Sequence, residues 1–214
     1  MMEKYQRLIK VLKFCFRLIS DIDVAGVENV PQDGAFILAT NHLSRLDTPL
    51  LGITCPRKVY AMVATKYQAY PFFRWLMDMA DAIWVRRTEF DRDALVASLE
   101  VLKRGDVLGV APEGTRSRTR TLQEGKPGVA FLAARLGILI VPVGIAGTER
   151  LWEDMGHLRR PHLQVVYGEP FRLPKEGKLT SEELQAATDL IMQRIAVLLP
   201  AEYRGVYAEA VAPA

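Results

Sequence analysis

Short apolar runs that alternate with helical patterns constrain the fold of this chain more than any other feature. Six runs read as strands, several of them apolar throughout: 35–40, 59–64, 83–85, 107–111, 138–143 and 163–167. Helical periodicity covers 71–79, 91–103 and 127–136, and a capping box at Thr180 and Glu183 begins a last helix running to about residue 198. Strands apolar on both faces and separated by helices predict an α/β domain with a mixed, mostly parallel sheet covered by helices on both faces.

Length, charge and cysteine usage limit the classes of protein to which the chain can belong. The 214 residues are enough for one domain with a buried core, and no repeat or low-complexity linker divides them. The formal net charge of +3 is too small to indicate binding to nucleic acid. Cys15 and Cys55 stand apart in apolar surroundings, which indicates neither a disulfide framework nor a zinc site and is compatible with a reducing compartment. We predict an N-terminal helix over residues 1–22, a folded domain over 23–205 and a flexible tail over 206–214.

The N-terminal segment has the pattern of an amphipathic helix over residues 3–20. Its apolar side chains share one face: Tyr5, Leu8, Ile9, Leu12, Cys15, Phe16 and Ile19. Lys10, Lys13 and Arg17 interrupt the apolar run, so the segment predicts neither a signal peptide nor a membrane-spanning helix. An apolar stripe opposite a basic face is typical of a helix that lies on a membrane surface, and also of a helix packed on its own domain.

A histidine and an aspartate follow the first predicted strand. That strand ends at Thr40, and His42 and Asp47 come directly after it, where α/β sheets commonly build their sites. Histidine can accept a proton from a hydroxyl group near neutral pH, and a carboxylate on one ring nitrogen stabilises the imidazolium. A turn or a helix start after His42 would bring Asp47 back to the ring. The pattern is common on its own and also fits a buried histidine beside an unrelated helix-capping aspartate.

A second polar cluster, Pro112-Glu113-Gly114-Thr115-Arg116-Ser117, follows another apolar strand. Gly114 permits a tight turn whose amide groups can cradle an anion. Several cations suited to phosphate oxygens stand in or after this cluster: Arg116, Arg118, Arg120 and Lys126. Glu113 could anchor an arginine or a substrate hydroxyl. A solvated basic loop that binds nothing fits the same residues.

Three further segments are less specific. Residues 83–85 form a short strand that ends in Arg86 and Arg87, of which only one can face a given site. Pro142 stands at the end of an apolar strand, which by itself indicates no chemistry. An aromatic and thioether-rich segment contains Tyr67, Tyr70, Phe72, Phe73, Trp75, Leu76, Met77 and Met79. It fits the wall of an apolar groove, a bilayer interface or a core helix.

Other chemistries lack their residues in this sequence. There is no G-x-S-x-G segment, so a serine hydrolase of the α/β type would have no nucleophile. Gly125-Lys126 lacks the other glycine and the hydroxyl residue of a P-loop, and no G-x-G-x-x-G occurs. His157 and His162 are not at metal-ligand spacing with any cysteine or second histidine. We therefore predict no metal site.

Taken together and in order, these clusters resemble the motifs of the glycerophospholipid acyltransferase family, and within it the 1-acylglycerol-3-phosphate acyltransferases. The family's Asn-His-x4-Asp motif matches Asn41, His42 and Asp47, and its Pro-Glu-Gly-Thr-Arg-Ser motif matches residues 112–117 without a change. The weaker motifs fit residues 83–87, with Arg87 as the counterpart of the family's arginine, residues 140–143 around Pro142, and Lys126-Pro127-Gly128. The resemblance spans about residues 35–145 and is specific because the motifs occur in the family's order.

This resemblance implies direct transfer of a fatty acyl group from an acyl thioester to the free 2-hydroxyl of 1-acylglycerol 3-phosphate, giving phosphatidic acid in phospholipid synthesis. It implies that His42 is the general base and that Asp47 orients it. The acceptor is expected to contact Arg87, Glu113, Gly114, Thr115, Arg116 and Lys126, with the arginines on its phosphate and Glu113 on its glycerol backbone or on an arginine. The acyl chain or the membrane is expected to contact Tyr70, Phe72, Phe73 and Trp75.

The resemblance also implies which partners to expect. No metal or organic cofactor is needed, and the acyl thioester is a co-substrate carried by coenzyme A or by acyl carrier protein. The expected partners are a lysophospholipid acceptor, the thioester donor and an anionic membrane surface, without nucleic acid. The expected location is the cytoplasmic face of a membrane, as a peripheral or monotopic protein. Other acceptors (glycerol 3-phosphate, another lysophospholipid or an amino-lipid) and a non-catalytic lipid-binding module stay open as alternatives.

Overall fold

The structure is a computed structural model, and it describes residues 2–86 and 91–211. The strands, in chain order, are β1 Asp21–Ala25, β2 Phe36–Thr40, β3 Val59–Ala64, β4 Ile83–Val85, β5 Val107–Val110, β6 Leu139–Ala146 and β7 His162–Tyr167. The helices are α1 Met2–Ile19, α2 Asp47–Thr54, α3 Pro71–Met79, α4 Arg92–Lys103, α5 Gly128–Leu136, α6 Leu151–Gly156 and α7 Ser181–Val197.

All the strands form one mixed sheet in the order β1-β7-β6-β2-β5-β3-β4. β6, β2, β5, β3 and β4 are mutually parallel, whereas β7 pairs antiparallel with β6 and β1 pairs parallel with β7. The predicted α/β domain with a mixed, mostly parallel sheet is therefore confirmed. β7 can pair antiparallel with β6 because the connection through α6 leads directly from one strand to the next. Parallel neighbours would need a crossover connection that returns the chain to the opposite end of the sheet.

Helices cover both faces of the sheet, and each face has its own apolar core. Every residue of the central strand β2 is buried. Ile37 and Ala39 face the core beneath α4, α5 and α7, and Phe36 and Leu38 face the core beneath α1 and α2. Alternating side chains that are apolar on both faces produce this two-sided burial, since successive residues of a strand point in opposite directions.

The predicted strands and helices are all present, with boundaries shifted by no more than a few residues, but three elements were not predicted. β1 lies at an edge of the sheet and is mostly exposed, with charged Asp21 and Asp23, so it carries no apolar run. α2 and α6 are short, and their apolar residues are too few to show a helical period. Short or exposed elements are formed by tertiary pairing, which a local pattern does not record.

The two ends of the chain pack on the domain. On α1 the inner residues Tyr5, Leu8 and Phe16 are buried, and the helix packs against α2 and α3. At the other end, Val206 and Tyr207 belong to a helical turn, and Tyr207 is 8% exposed. The packed part of the chain thus extends beyond the boundary at residue 205 predicted for the tail, because the Tyr207 side chain reaches the interior. Within the described residues, no helix combines the length and apolar character required to cross a bilayer.

The parallel strands all end at the same edge of the sheet. β2 lies between β5 and β6, and its end residue Thr40 pairs with Val143 of β6 while Ala39 pairs with Val110 of β5. The loops after β2, β5 and β6 therefore meet at one place, although they are far apart in sequence. This is the location at which open α/β sheets bind ligands.

Candidate active site

The site is centred on a hydrogen-bonded pair, His42 and Asp47. Nδ1 of His42 lies 2.8 Å from Oδ2 of Asp47. The same Oδ2 atom accepts the backbone N–H groups of Leu43 at 2.7 Å and Ser44 at 2.8 Å, and Oδ1 accepts the hydroxyl of Thr148 at 2.5 Å. Because an ionised carboxylate only accepts hydrogen bonds, the proton of the neutral ring is assigned to Nδ1, which leaves Nε2 as the basic nitrogen.

The chain brings Asp47 back to His42 by starting a helix. Asp47 is the first residue of α2, and its backbone N–H donates to the Ser44 carbonyl at 3.4 Å, so the loop between the two residues turns back toward the ring. A carboxylate at a helix N-terminus is stabilised by the unpaired amide groups and the helix dipole. Asp47 is 2% exposed, whereas the His42 side chain is 19% exposed. The carboxylate is therefore buried behind a ring that can still be reached.

Asn41, the residue before the histidine, joins the end of β2 to β6. Its side-chain amide donates to the Ile145 carbonyl at 2.8 Å and its Oδ1 accepts the Ile145 N–H at 2.8 Å. Asn41 is 1% exposed, so both bonds lie in the interior, where breaking either would leave an unsatisfied polar group. These two hydrogen bonds fix the position of the backbone next to His42.

Glu113 connects the loop after β5 to the histidine loop. Its Oε1 accepts the backbone N–H of His42 at 2.8 Å, and its Oε2 accepts the N–H of Gln123 at 3.1 Å. The side chain is 2% exposed, and both of its oxygens thus make buried contacts with backbone N–H groups. The expected contact with the glycerol backbone of a substrate stays a prediction. Burial raises the pKa of Glu113 to about 7, against the opposing effect of these two N–H donors.

The rest of the second loop is held against the histidine by its backbone. The N–H of Ser117 donates to the His42 carbonyl at 2.8 Å, and the N–H of Lys126 donates to the Pro112 carbonyl at 2.8 Å. Gly114 has a φ of 67°, and a Cβ at this position would lie 2.9 Å from Cδ of Lys126. The glycine thus permits both the left-handed turn and the passage of the Lys126 side chain across it.

An apolar cavity of about 600 Å³ opens beside this pair. His42, Gly114 and Lys126 are in its wall, together with Arg86 at the end of β4. The apolar part of the wall is supplied mainly by the inner faces of helices, including Tyr5 and Leu8 of α1, Leu76 and Met77 of α3, and Leu95 of α4. A cavity of this kind, apolar with a few polar groups on one side, suits a ligand with a long hydrocarbon part and a charged head.

Not all the predicted substrate-binding residues reach this cavity. Gly114 and Lys126 line it, but Thr115 and Arg116 are exposed and lie outside its wall. Arg87 falls outside the described residues. Its neighbour Arg86 lines the cavity and lies 3.5 Å from the carboxylate of Asp91. The structure therefore brings together the histidine pair, one lysine and Arg86.

The aromatic residues of α3 and its approach point away from the cavity. Tyr70, Phe72 and Trp75 are 58%, 74% and 53% exposed, and the rings of Phe72 and Trp75 lie 5.8 Å apart. Phe73 is half-buried and packs on Tyr67 at 5.3 Å between ring centroids. Leu76 and Met77 of the same segment supply the cavity wall. The exposed aromatic residues form an outer surface of the domain.

Two residues of the site were missed by sequence reasoning or given no role by it. Thr148 follows β6 and touches Asp47, but it stands alone in the sequence without a motif. Asn41 was recognised only as part of the Asn-His-x4-Asp motif, and its two hydrogen bonds to the Ile145 backbone depend on strand pairing. In residues 2–86 and 91–211, no three histidine, cysteine, aspartate or glutamate side chains come together as a metal site.

The sequence model of the Acyltransferase family matches residues 21–146 of this chain. A chloroplastic 1-acyl-sn-glycerol-3-phosphate acyltransferase of Arabidopsis thaliana is 28% identical over 166 residues, which are 75% of this chain and 46% of that protein. The 1-acyl-sn-glycerol-3-phosphate acyltransferase of Bacillus subtilis is 26% identical over 195 residues, 89% of this chain and 94% of that protein. The chain spans about half the length of the first of these curated relatives.

Among solved structures, the chain is similar to the crystal structure of the 1-acyl-sn-glycerophosphate acyltransferase from Thermotoga maritima. The TM-score is 0.69 at 26% sequence identity, over 87% of this chain and 76% of that chain. The residues matched by the family model include the histidine pair, the loop after β5 and Pro142 in β6. The family model thus covers most of the residues that build the site.

Proposed function

The chain belongs to the Acyltransferase family, and from this membership we propose that it transfers a fatty acyl group from an acyl thioester to the free 2-hydroxyl of 1-acylglycerol 3-phosphate, giving phosphatidic acid. The observation that carries the proposal is the His42–Asp47 pair at 2.8 Å in the wall of an apolar cavity of about 600 Å³. A base beside a hydrocarbon-binding space is what acyl transfer to a lipid hydroxyl requires. The acceptor is proposed from the relatives described above, which are 1-acylglycerol-phosphate acyltransferases by name.

In the proposed reaction, Nε2 of His42 takes the proton of the acceptor hydroxyl as its oxygen attacks the thioester carbonyl. A C–O bond forms and the C–S bond breaks, and the protonated ring returns its proton to the leaving thiolate. Asp47 stabilises the imidazolium between these two steps. General base catalysis contributes about 10²–10⁴-fold. Positioning of the two substrates in the cavity supplies up to roughly 7–11 kcal/mol more.

The acceptor phosphate would lie near the cations at the cavity wall. Lys126 lines the cavity, and its side chain crosses Gly114, whose amide belongs to the turn after β5. A charge-assisted hydrogen bond from a lysine to a phosphate oxygen contributes more than a neutral one. Arg116 and Arg87 stay as predicted phosphate contacts, the first at the exposed side of the same loop.

A comparison of acceptors tests this proposal. Purified protein is supplied with a long-chain acyl-CoA or acyl carrier protein thioester, and with either 1-acylglycerol 3-phosphate or the monoacylglycerol of the same chain. We expect phosphatidic acid from the phosphorylated acceptor, and we expect Lys126→Ala to raise KM for that acceptor by about tenfold or more, since a hydrogen bond to a charged group contributes roughly 1.5–3 kcal/mol. Equal turnover of both acceptors would contradict the role given to the phosphate.

Lys178→Ala is the matched control, because Lys178 is exposed in the loop before α7 and lies outside the cavity wall. Transfer to glycerol 3-phosphate, another lysophospholipid or an amino-lipid in place of the phosphorylated acceptor would keep the reaction class and change the substrate. Absence of transfer with every donor and acceptor, together with saturable binding of lysophospholipid, would favour a lipid-binding module.

We also propose that the protein acts while attached to the surface of an anionic membrane. The outer face of α1 exposes Val11, Phe14 and Leu18, at 60%, 69% and 66%, beside exposed lysines and arginine. Phe72 and Trp75 form the exposed face of α3. The inner faces of both helices line the cavity, so a bilayer against their outer faces would lie next to the space proposed for the acyl chain.

Co-sedimentation with vesicles tests this attachment with two tryptophan variants. Trp75 is 53% exposed on α3, and Trp152 is 69% exposed on α6, so Trp152→Ser is a matched control. We expect Trp75→Ser to weaken partitioning into vesicles containing anionic lipid by about tenfold, because losing roughly 60 Å² of buried apolar surface costs about 1.5 kcal/mol. Equal partitioning of the two variants would exclude α3 from the contact.

A further inference from the structure

We propose that Thr148 is a positioning residue of the transfer reaction, acting through Asp47 on the His42 ring. This inference rests on the proposed function, and it adds a residue that stands outside every motif of the sequence. The hydroxyl of Thr148 donates to Oδ1 of Asp47 at 2.5 Å. The other oxygen of the same carboxylate accepts the ring Nδ1 of His42. Thr148 therefore holds the carboxylate from the side opposite to the ring.

The contact between Thr148 and Asp47 is buried. Thr148 is 1% exposed and Asp47 is 2% exposed. In the described part of the chain, the Thr148 hydroxyl is the one hydrogen-bond donor to Oδ1, whereas Oδ2 has the ring of His42 and two backbone N–H groups. Without that hydroxyl a buried carboxylate oxygen would lose its partner, and rotation of the carboxylate to find another would disturb the bond to the ring.

The backbone around Thr148 is built to hold the hydroxyl in place. Gly147 has a φ of 88°, and a Cβ there would lie 2.1 Å from the His162 carbonyl oxygen, so the turn out of β6 requires a glycine. After the turn, Glu149 accepts the hydroxyl of Tyr203 at 2.8 Å. The backbone before Thr148 thus passes close to β7, and the residue after it is hydrogen-bonded to the C-terminal segment.

Position in the sheet explains why this residue and not another meets the aspartate. β6 is the neighbour of β2, and the register pairs Thr40 with Val143. Asn41 reaches across to Ile145, and Thr148 extends beyond the end of β6 to the helix that begins at Asp47. The hydroxyl donor therefore comes from the turn that follows the strand flanking β2, and it is 101 residues from Asp47 along the chain.

The test compares three variants with the wild type in the acyl transfer assay. Thr148→Val keeps the shape and removes the hydroxyl, Thr148→Ser keeps the hydroxyl, and Thr188→Val removes a buried hydroxyl that donates only to the Leu184 carbonyl of its own helix. We expect Thr148→Val to lower kcat by about 10- to 100-fold, the equivalent of a hydrogen bond to a charged group. We expect KM for both substrates to stay within about threefold, since neither substrate is contacted. Thr148→Ser should recover most of the rate and Thr188→Val should retain it.

A second readout does not depend on turnover. The titration of the His42 ring, followed by NMR, is expected to move in Thr148→Val and to stay as in the wild type in Thr148→Ser and Thr188→Val. Wild-type kcat together with an unchanged ring titration in Thr148→Val would overturn the proposal. Equal losses in the valine and serine variants, or a loss explained by a lower fraction of folded protein, would also overturn it. If the wild type itself transfers no acyl group, the proposed function fails, and the ring titration still decides the role of Thr148.

Discussion

Replacement of His42 by alanine is expected to lower the rate of acyl transfer by about 10²–10⁴-fold, the usual contribution of a general base. The reason is geometric: of the histidine rings in the described part of the chain, that of His42 alone is both held by a carboxylate and open to the cavity. Without it, the acceptor hydroxyl would have to attack before losing its proton. The measurement is release of free thiol together with formation of phosphatidic acid, over a range of pH.

The fold should survive this substitution. In the alanine variant the Asp47 carboxylate keeps its hydrogen bonds from Leu43, Ser44 and Thr148, so no buried charge is left without a partner. His157→Ala is the control, because His157 is exposed at the end of α6. If His42→Ala turned over substrate at the wild-type rate while folded, the proposed mechanism would be wrong even if the reaction is right.

Replacement of Asp47 by asparagine is expected to lower kcat by about 10²–10⁴-fold, comparable with the loss of an orienting aspartate in other histidine-dependent enzymes. The substitution removes the charge that stabilises the imidazolium. We expect KM for both substrates to change much less than kcat, because Asp47 lies behind the ring and is 2% exposed.

The contacts of Asp47 indicate that the asparagine variant can fold. The amide oxygen can take the position of Oδ2, with its ring and backbone donors, and the amide nitrogen can then donate to Thr148, whose hydroxyl is able to accept. Circular dichroism and thermal unfolding check this point. The double variant His42→Ala with Asp47→Asn should be hardly slower than His42→Ala alone, because the aspartate acts through the ring. Additive losses would show that Asp47 has a separate role.

The pH profile of the wild type bears on both predictions. Burial raises the pKa of Glu113 to about 7, and this carboxylate accepts the backbone N–H of His42. A group that gains a proton near neutral pH is thus in contact with the histidine backbone. A change in the rate of acyl transfer near pH 7 would therefore include a contribution from the protonation of Glu113.

Much of the fold could be predicted from local patterns. The central strands are buried on both faces, so their residues are apolar without interruption, and the last helix begins at a capping box that the structure contains at Thr180 and Glu183. β1 could not be predicted in the same way, because it is an exposed edge strand with Asp21 and Asp23. A pattern that arises from burial is absent where burial is absent.

The contact at the centre of the site could be predicted because its two residues are close together in sequence. His42 and Asp47 are five residues apart, and a helix start is enough to join them. The contacts of Glu113 with the His42 and Gln123 backbone could not be predicted in the same way. Backbone partners carry no sequence signal, since every residue supplies the same N–H group.

Local patterns of residues were enough to predict an α/β sheet with covered faces and a histidine–aspartate pair at the end of an apolar strand. The distant residues that meet this pair follow from the way the strands are arranged. Strand order placed β5 and β6 on either side of β2, and this brought Glu113 to the histidine backbone and Thr148 to Asp47. The physical reason is that side-chain chemistry and periodicity are local properties, whereas the neighbours of a strand are chosen by packing across the whole domain.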